Sequence, residues 1–225
     1  WFNIRYTIML DIGVILISLL IALALNNLKG KTSTLFRSIF FIPAVLSLVT
    51  VGLIWNELFL RAFPPIGEAL GIEWLSKSIL GSPSTAIFGI LIVNLWQGCA
   101  TPTVLLLAGL QSVPADLYEA ATIDGANAWQ KFKNITVPFL IPIVTMLVIT
   151  TTKGGLTIFD YIQAMTAGGP AQATEAIGVL IYRHAMSEGK FAQSVAESMC
   201  LFVIVAIVSF LTIKISSKKE VGDDA

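Results

Sequence analysis

Charged residues cut this chain into long uncharged stretches. No Asp, Glu, Lys or Arg lies between Ile12 and Leu28, Ser38 and Asn56, Ser78 and Ala115, Asn134 and Thr152, or Ser198 and Ile213. The hydrocarbon layer of a bilayer is about 30 Å thick, and a helix needs about 20 apolar residues to cross it. A charge at its centre costs several kcal/mol. Trimmed at their polar ends and extended at the interfaces, the intervals predict spans near 8–27, 37–57, 86–110, 137–158 and 193–215. Gly81, Ser82 and Pro83 read as the loop ahead of the third span, and Pro114 as the start of a new element after it. The predicted fold class is all-α, a polytopic integral membrane helical bundle with five visible spans in one transmembrane domain, 1–225.

Five crossings place segments 28–37, 112–136 and 214–225 on one side. These hold Lys29, Lys31, Arg37, Lys131, Lys133, Lys214, Lys218 and Lys219, whereas the longer segments opposite hold Arg5, Arg61, Lys77, Arg183 and Lys190. The basic excess predicts that the first set is cytoplasmic and that 58–85 and 159–192 are extracytoplasmic. The chain then starts outside, at Trp1, so one further span upstream is expected, six in the intact chain. Within the outer segment, 174–187 sets Ile177, Leu180 and Ile181 on one helical face, which predicts a short helix. Gly168, Gly169 and Pro170 predict the loop before it.

Composition agrees with the pattern. Of 225 residues, 56% are hydrophobic and 12% charged, against about 25% charged in soluble domains. Fourteen basic residues balance fourteen acidic ones, which gives no electrostatic footprint for nucleic acid. Cys99 and Cys200 sit in apolar runs and His184 is the sole histidine, so neither a disulfide scaffold nor a multi-histidine metal site is expected.

Polar residues inside the spans are the candidates for a solute pathway. Asn94, Gln97, Gly98 and Thr101 fall at i, i+3, i+4 and i+7, one helical face. Their amides and hydroxyl can exchange hydrogen bonds with a hydroxyl-bearing solute, Gly98 leaves room for a ring, and Trp96 is near enough to stack. The same residue types also bond neighbouring helices, and both readings stand. Ser47, with Thr50 on its face, favours helix bonding; Thr151 and Gly155 share a face in the fourth span, where Gly154-Gly155 also reads as a kink. Lys153 can snorkel to the interface, Asp160 and Tyr161 read as interfacial anchors, and His184 as a surface residue. Asp11 lies near the outer end of the first span, too shallow for a proton relay, and no carboxylate pair occupies a span centre, which argues against an ion-coupled secondary transporter.

The loop 112–138 predicts two short helices around a turn. Pro114 suits a first helical turn, with Asp116 and Glu119 near its positive end. Asp124-Gly125 closes that helix. The second carries Trp129, Phe132 and Ile135 on one side, and Pro138 leads into the fourth span. An ordinary amphipathic connector fits this pattern. The alternative is a docking surface, since Ala120 and Ala121 beside Glu119 let another backbone approach closely.

The series Glu119-Ala120-Ala121, Gly125, Ile135 and Pro138 resembles the EAA loop of the membrane subunits of binding-protein-dependent ABC importers. The run EAATIDGANAWQKFKNITVP is similar to the maltose-type, or multiple-sugar, carbohydrate permeases, as are Ala108 to Pro114, Phe159-Asp160 and Met165 to Pro170. The resemblance covers almost the whole chain; Val137, where that family often has Leu, is a conservative departure.

That resemblance implies a type I importer permease fold and a mechanism. The loop would be a coupling helix seated on a cytoplasmic ATPase subunit, with Asp116, Glu119 and Asp124 orienting it and Ala120, Ala121 and Gly125 permitting close contact. It implies a carbohydrate substrate, an oligosaccharide, and as partners a second homologous permease, two ATPase subunits and an extracytoplasmic sugar-binding protein. The chain has no Gly-x-x-x-x-Gly-Lys-Ser/Thr loop, so ATP and Mg would belong to the ATPases and no cofactor to this subunit, which would catalyse no covalent chemistry. A polyol or glycerol phosphate permease is the nearby alternative; an ion-coupled transporter and a membrane scaffold are the more distant ones.

Overall fold

The computed structural model describes residues 1–28 and 30–220, with side chains at 1–28 and 35–214. Lys29, Lys31, Lys218 and Lys219, counted above toward the basic loops, lie outside the described residues or side chains. Among the described residues there is no strand. The helices run α1 Phe2–Asn26, α2 Gly30–Val45, α3 Leu48–Leu70, α4 Ala86–Gly98, α5 Ala100–Ser112, α6 Ala115–Ile123, α7 Ala128–Leu156, α8 Asp160–Met165, α9 Ile177–Tyr182 and α10 Phe191–Glu220. Three of them, α1, α7 and α10, are each long and apolar enough to cross a membrane. Helices α2 with α3, and α4 with α5, reach that length only as pairs, bent by 94° and 45°.

Both bends have a proline nearby. Pro43 withdraws a backbone donor just before α2 ends, and Ser47 then takes an extended conformation (φ −65°, ψ 134°) that opens α3. Pro102 lacks the N–H that would bond the Gly98 carbonyl, and the chain bends at Cys99 between them. A straight span at 37–57 therefore gives way to a broken one, and helix continues to Leu70, into the segment expected to be an outer loop. The span expected at 86–110 is likewise two helices.

A second correction concerns the loop ahead of the fourth span. No separate second helix is present there: α7 runs unbroken from Ala128 through Pro138. The turn before the proline widens, with the Val137 N–H bonding the Phe132 carbonyl, so the hydrogen-bond ladder passes the missing proline donor. The outer helix of 174–187 is α9, prolonged by a similar wide turn over Arg183–Ser187.

Helix α1 is the axis of the bundle. Its buried residues Tyr6, Leu10, Val14, Ser18, Ala22 and Leu25 recur at near-four-residue spacing, a stripe that packs against α5 and α7. Toward its start it joins Val51, Ile90, Ile162 and Met165 in one apolar cluster. Toward its end it joins Leu106, Leu110, Leu140 and Leu147 in another. Between the clusters, the Cys99 carbonyl accepts from Ser18 Oγ (3.2 Å) and Thr103 Oγ1 (2.7 Å). Asn3 closes the outer end: its Nδ2 donates to the Leu156 carbonyl at 3.0 Å and its Oδ1 accepts from the Ile177 N–H at 3.1 Å. One side chain thus satisfies the end of α7 and the start of α9.

Helices α1 and α7 pack closely at Gly155. A Cβ there would lie 2.6 Å from Thr7 Oγ1 and 2.9 Å from Thr7 Cα, whereas one on Gly154 would meet nothing within 4 Å. Gly155→Ala is expected to cost about 1–3 kcal/mol, because backbone rather than a side-chain tip is in the way. Gly154→Ala should be neutral or slightly stabilising. Thermal unfolding of the two variants in detergent checks the contrast.

Candidate functional site

The bends, α1 and α7 border an open, partly polar cavity of about 390 Å³, within the range of small-ligand sites. Its walls are Leu10 and Val14 of α1, Ala44 and Leu48 around the first bend, Asn94, Gln97 and Gly98 of α4, Thr101 of α5, Thr151 and Gly154 of α7, and the stretch Thr157–Tyr161. Four of the predicted pathway positions, Asn94, Gln97, Gly98 and Thr101, thus face one space together with Thr151. Two others do not. Ser47 is exposed at the bend while its neighbours line the cavity, and Gly155 is buried against Thr7, with Gly154 lining the space in its stead.

The cavity's amides are tied to partners far away in sequence. Gln97 Nε2 donates to the Leu46 carbonyl at 2.8 Å, and Gln97 Oε1 accepts from the Tyr161 hydroxyl at 2.7 Å. Asn94 Nδ2 donates to the Tyr6 hydroxyl at 2.7 Å. Burial pushes the Tyr161 phenol above its usual range, and the neighbouring Asp160 carboxylate adds to the effect, so the hydroxyl stays protonated and able to donate. A Cβ on Gly98 would sit 3.1 Å from Asn94 Oδ1, so the glycine keeps that acceptor open more than it makes space for a ring. Tyr161 is buried, not an interfacial anchor.

Trp96 also differs from expectation. It stands edge-on to Trp55 at 5.7 Å and lines a separate apolar cavity of about 400 Å³ with Ile17, Phe40 and Pro43. Asp160 is the one charged residue among those lining the polar cavity, so a solute there meets neutral donors and acceptors and a single negative group. Asp11 Oδ2 accepts from Thr152 Oγ1 at 2.7 Å, joining α1 to α7. His184 is no free surface residue: its Nδ1 lies 2.8 Å from Glu197 Oε2, with Gln193 Nε2 donating to Glu197 Oε1 at 3.0 Å, which ties the end of α9 to α10. Among the described residues no group of three His, Cys, Asp or Glu converges to hold a metal.

The second feature is α6 with its corner. Asp116, Glu119, Ala120, Asp124 and Gly125 are exposed and Ala121 half-buried. Gly125 closes the helix with φ +74°, a left-handed turn that suits glycine. Asn127 then caps α7 reciprocally: its Oδ1 accepts from the Gln130 N–H at 2.9 Å while Gln130 Oε1 accepts from the Asn127 N–H at 2.8 Å. Ile123 and Trp129 stand 87% and 68% exposed on either side of this corner, the Trp129 ring stacked on Phe132 of the same helix at 5.8 Å.

The family model described as "Binding-protein-dependent transport system inner membrane component" matches residues 14–218. The chain belongs to this family. This inner membrane component is 44% identical over 221 residues to the multiple sugar-binding transport system permease protein of Streptococcus mutans serotype c, covering 98% of the chain and 76% of the relative. It is 35% identical over 202 residues to the trehalose/maltose transport system permease protein of Thermococcus litoralis, covering 89% of the chain and 68% of the relative. In fold it matches a bacterial ABC transporter involved in the import of the acidic polysaccharide alginate, with a TM-score of 0.81 at 22% identity over 96% of this chain and 78% of that one. A bacterial alginate ABC transporter in complex with an alginate pentasaccharide-bound periplasmic protein gives 0.80 at 21% identity, covering 96% and 77%. The chain is thus a multi-pass membrane transport subunit with the ABC importer permease fold.

The partners of the cavity amides escaped the sequence because Tyr6 and Tyr161 lie 88 and 64 positions from theirs. The capping pair was readable, since Asn followed three residues later by Gln marks a helix start. Gln97→Leu in this transport subunit strands the Leu46 carbonyl and the Tyr161 hydroxyl, at about 1–3 kcal/mol each. Tyr161→Phe strands one group, Gln97 Oε1, and should cost about 1–3 kcal/mol, less than Gln97→Leu. Unfolding midpoints of the two variants in detergent check the ranking.

Proposed function

We propose that this subunit forms the translocation pathway for a neutral oligosaccharide in an ATP-driven importer of the cytoplasmic membrane. The observation that carries the reading is the 44% identity, over almost the whole chain, to a relative named for multiple-sugar transport. The cavity supports it chemically: amides, hydroxyls and one carboxylate suit hydroxyl-rich, uncharged solutes. Asp160 disfavours glycerol phosphate, since its charge would repel the phosphate at close range. A polyol remains the nearest alternative.

In this reading Asn94 Oδ1, Thr101 and Thr151 exchange hydrogen bonds with solute hydroxyls, while Gln97 holds the first bend in place beside them. The α6 loop faces the cytoplasm and seats on an ATPase subunit, Glu119 orienting it, Ala120 and Ala121 allowing close approach, and Ile123 and Trp129 adding apolar contact. ATP and Mg bind to the two ATPases; this chain supplies motion and no bond chemistry. The extracytoplasmic segments 58–85 and 159–192 receive a sugar-binding protein. The apolar face of α10, none of whose span window is buried, is left for lipid and a homologous permease partner.

Purification with the subunits encoded beside it, followed by ATP hydrolysis in proteoliposomes, tests the proposal. Neutral di- to tetrasaccharides presented with the binding protein should stimulate hydrolysis; sorbitol and glycerol 3-phosphate should not. Glu119→Lys should reduce the stimulation about ten-fold or more while the subunit still inserts. Stimulation by glycerol 3-phosphate alone would overturn the substrate, and an unaffected Glu119→Lys complex the coupling role.

A further inference from the structure

The corner between α6 and α7 contains a glycine at φ +74°, the place where a loop would be expected to hinge. The contacts around it oppose hinging. The Asp124 N–H bonds the Ala120 carbonyl (3.0 Å), the Gly125 N–H that of Thr122 (3.1 Å) and the Ala126 N–H that of Ala121 (2.9 Å), so the turn is closed by its own backbone. The Asn127–Gln130 capping pair fixes the first turn of α7. Lys131 Nζ donates to Thr122 Oγ1 at 2.8 Å across the exposed side of the corner, where water competes.

One tie is different in kind. The Tyr118 and Thr136 hydroxyls are 2.8 Å apart, joining the middle of α6 to α7 across 18 positions. Thr136 is only 5% exposed, so little water competes and the bond holds better than one in solvent. Thr136 is also the last residue of the widened turn, Phe132–Thr136. An extra residue in a helical turn alters which way the following side chains point.

We propose that the Tyr118–Thr136 bond is a strut that makes α6, its corner and the foot of α7 one rigid piece. Resting on the coupling role above, the inference assigns Tyr118 and Thr136 as positioning residues in the transmission: displacement of α6 by the ATPases turns α7 with it, where a free Gly125 hinge would absorb the stroke. Neither residue belongs to the Glu119-Ala120-Ala121 surface, so the strut acts through α6 and not by touching the partner.

Spin labels at Ile123→Cys and Met146→Cys, in a Cys200→Ser background that leaves buried Cys99 in place, read the separation of α6 and α7 in the assembled complex. With the strut intact, one distance is expected, the same in the nucleotide-free and the ATP–vanadate-trapped states. In Tyr118→Phe and in Thr136→Val a second, state-dependent distance should rise about five-fold in population. The double variant should be no worse than either single one, and Thr136→Ser should restore the single distance. A merely structural role would broaden both states alike. A state-dependent distance in the unsubstituted pair, or variants indistinguishable from it, overturns the strut while leaving the coupling role standing. Failure of the Ile123 label to become immobilised when the ATPase subunits are added overturns the coupling role and the strut together.

Discussion

Backbone groups at membrane depth have no water to bond, so any interruption of a helix there must be satisfied by the protein itself. At the broken second span one of the freed groups is satisfied by a side chain from another helix. Gln97, on α4, donates to the Leu46 carbonyl at the 94° bend. Its other end is held by Tyr161, which fixes the amide's direction. Three segments distant in sequence, the bend, α4 and α8, therefore meet at one amide. The cavity exists because the bend carries Ala44 and Leu48 aside, and the bend persists because Gln97 closes its open carbonyl.

Spans were legible because charge is so costly in hydrocarbon that its absence marks them. Bends were not, since Pro43 and Pro102 sit in runs whose composition is otherwise that of straight spans, and a proline inside such a run is tolerated where tertiary partners re-satisfy the backbone. Nor could the buried stripe of α1 be picked out: residues such as Ile8 and Leu16, exposed at 55% and 54%, are as apolar as the buried ones, because lipid accepts them. Amphipathic periodicity, the usual guide to a core, fails when solvent and core are both oily.

Polar positions were legible where helical spacing alone gathers them, as with Asn94, Gln97, Gly98 and Thr101. Their partners come from other helices and leave no local mark. Gly154 and Gly155 show the limit well. The pair is adjacent and identical, yet one faces an open cavity and the other Thr7, a difference set by the rotation of α7 against α1. Asp11, read from the sequence as too shallow for a proton relay, spans the same helix pair through Thr152. Loop 112–138 was more transparent because capping and turn residues act within a few positions. It was misread only where a widened turn let helix continue through Pro138.

These contacts give α7 the character of a lever. At 29 residues it is about 40 Å long. Near one end it is tied to α1 by the Gly155–Thr7 contact, the Asp11–Thr152 bond and the Asn3 bond to Leu156, and further along Leu140 and Leu147 pack it against α1 and α5 through apolar contact. The other end carries the α6 corner. In the coupling role proposed above, a force applied at the corner would have its longest arm about the Gly155 contact. Thr151 and Gly154, which line the cavity, lie within about one turn of that fulcrum. Pivoting there, they would turn with the helix and travel little. In that role a tilt driven from the corner would shift the foot of α7 far more than the residues that line the cavity.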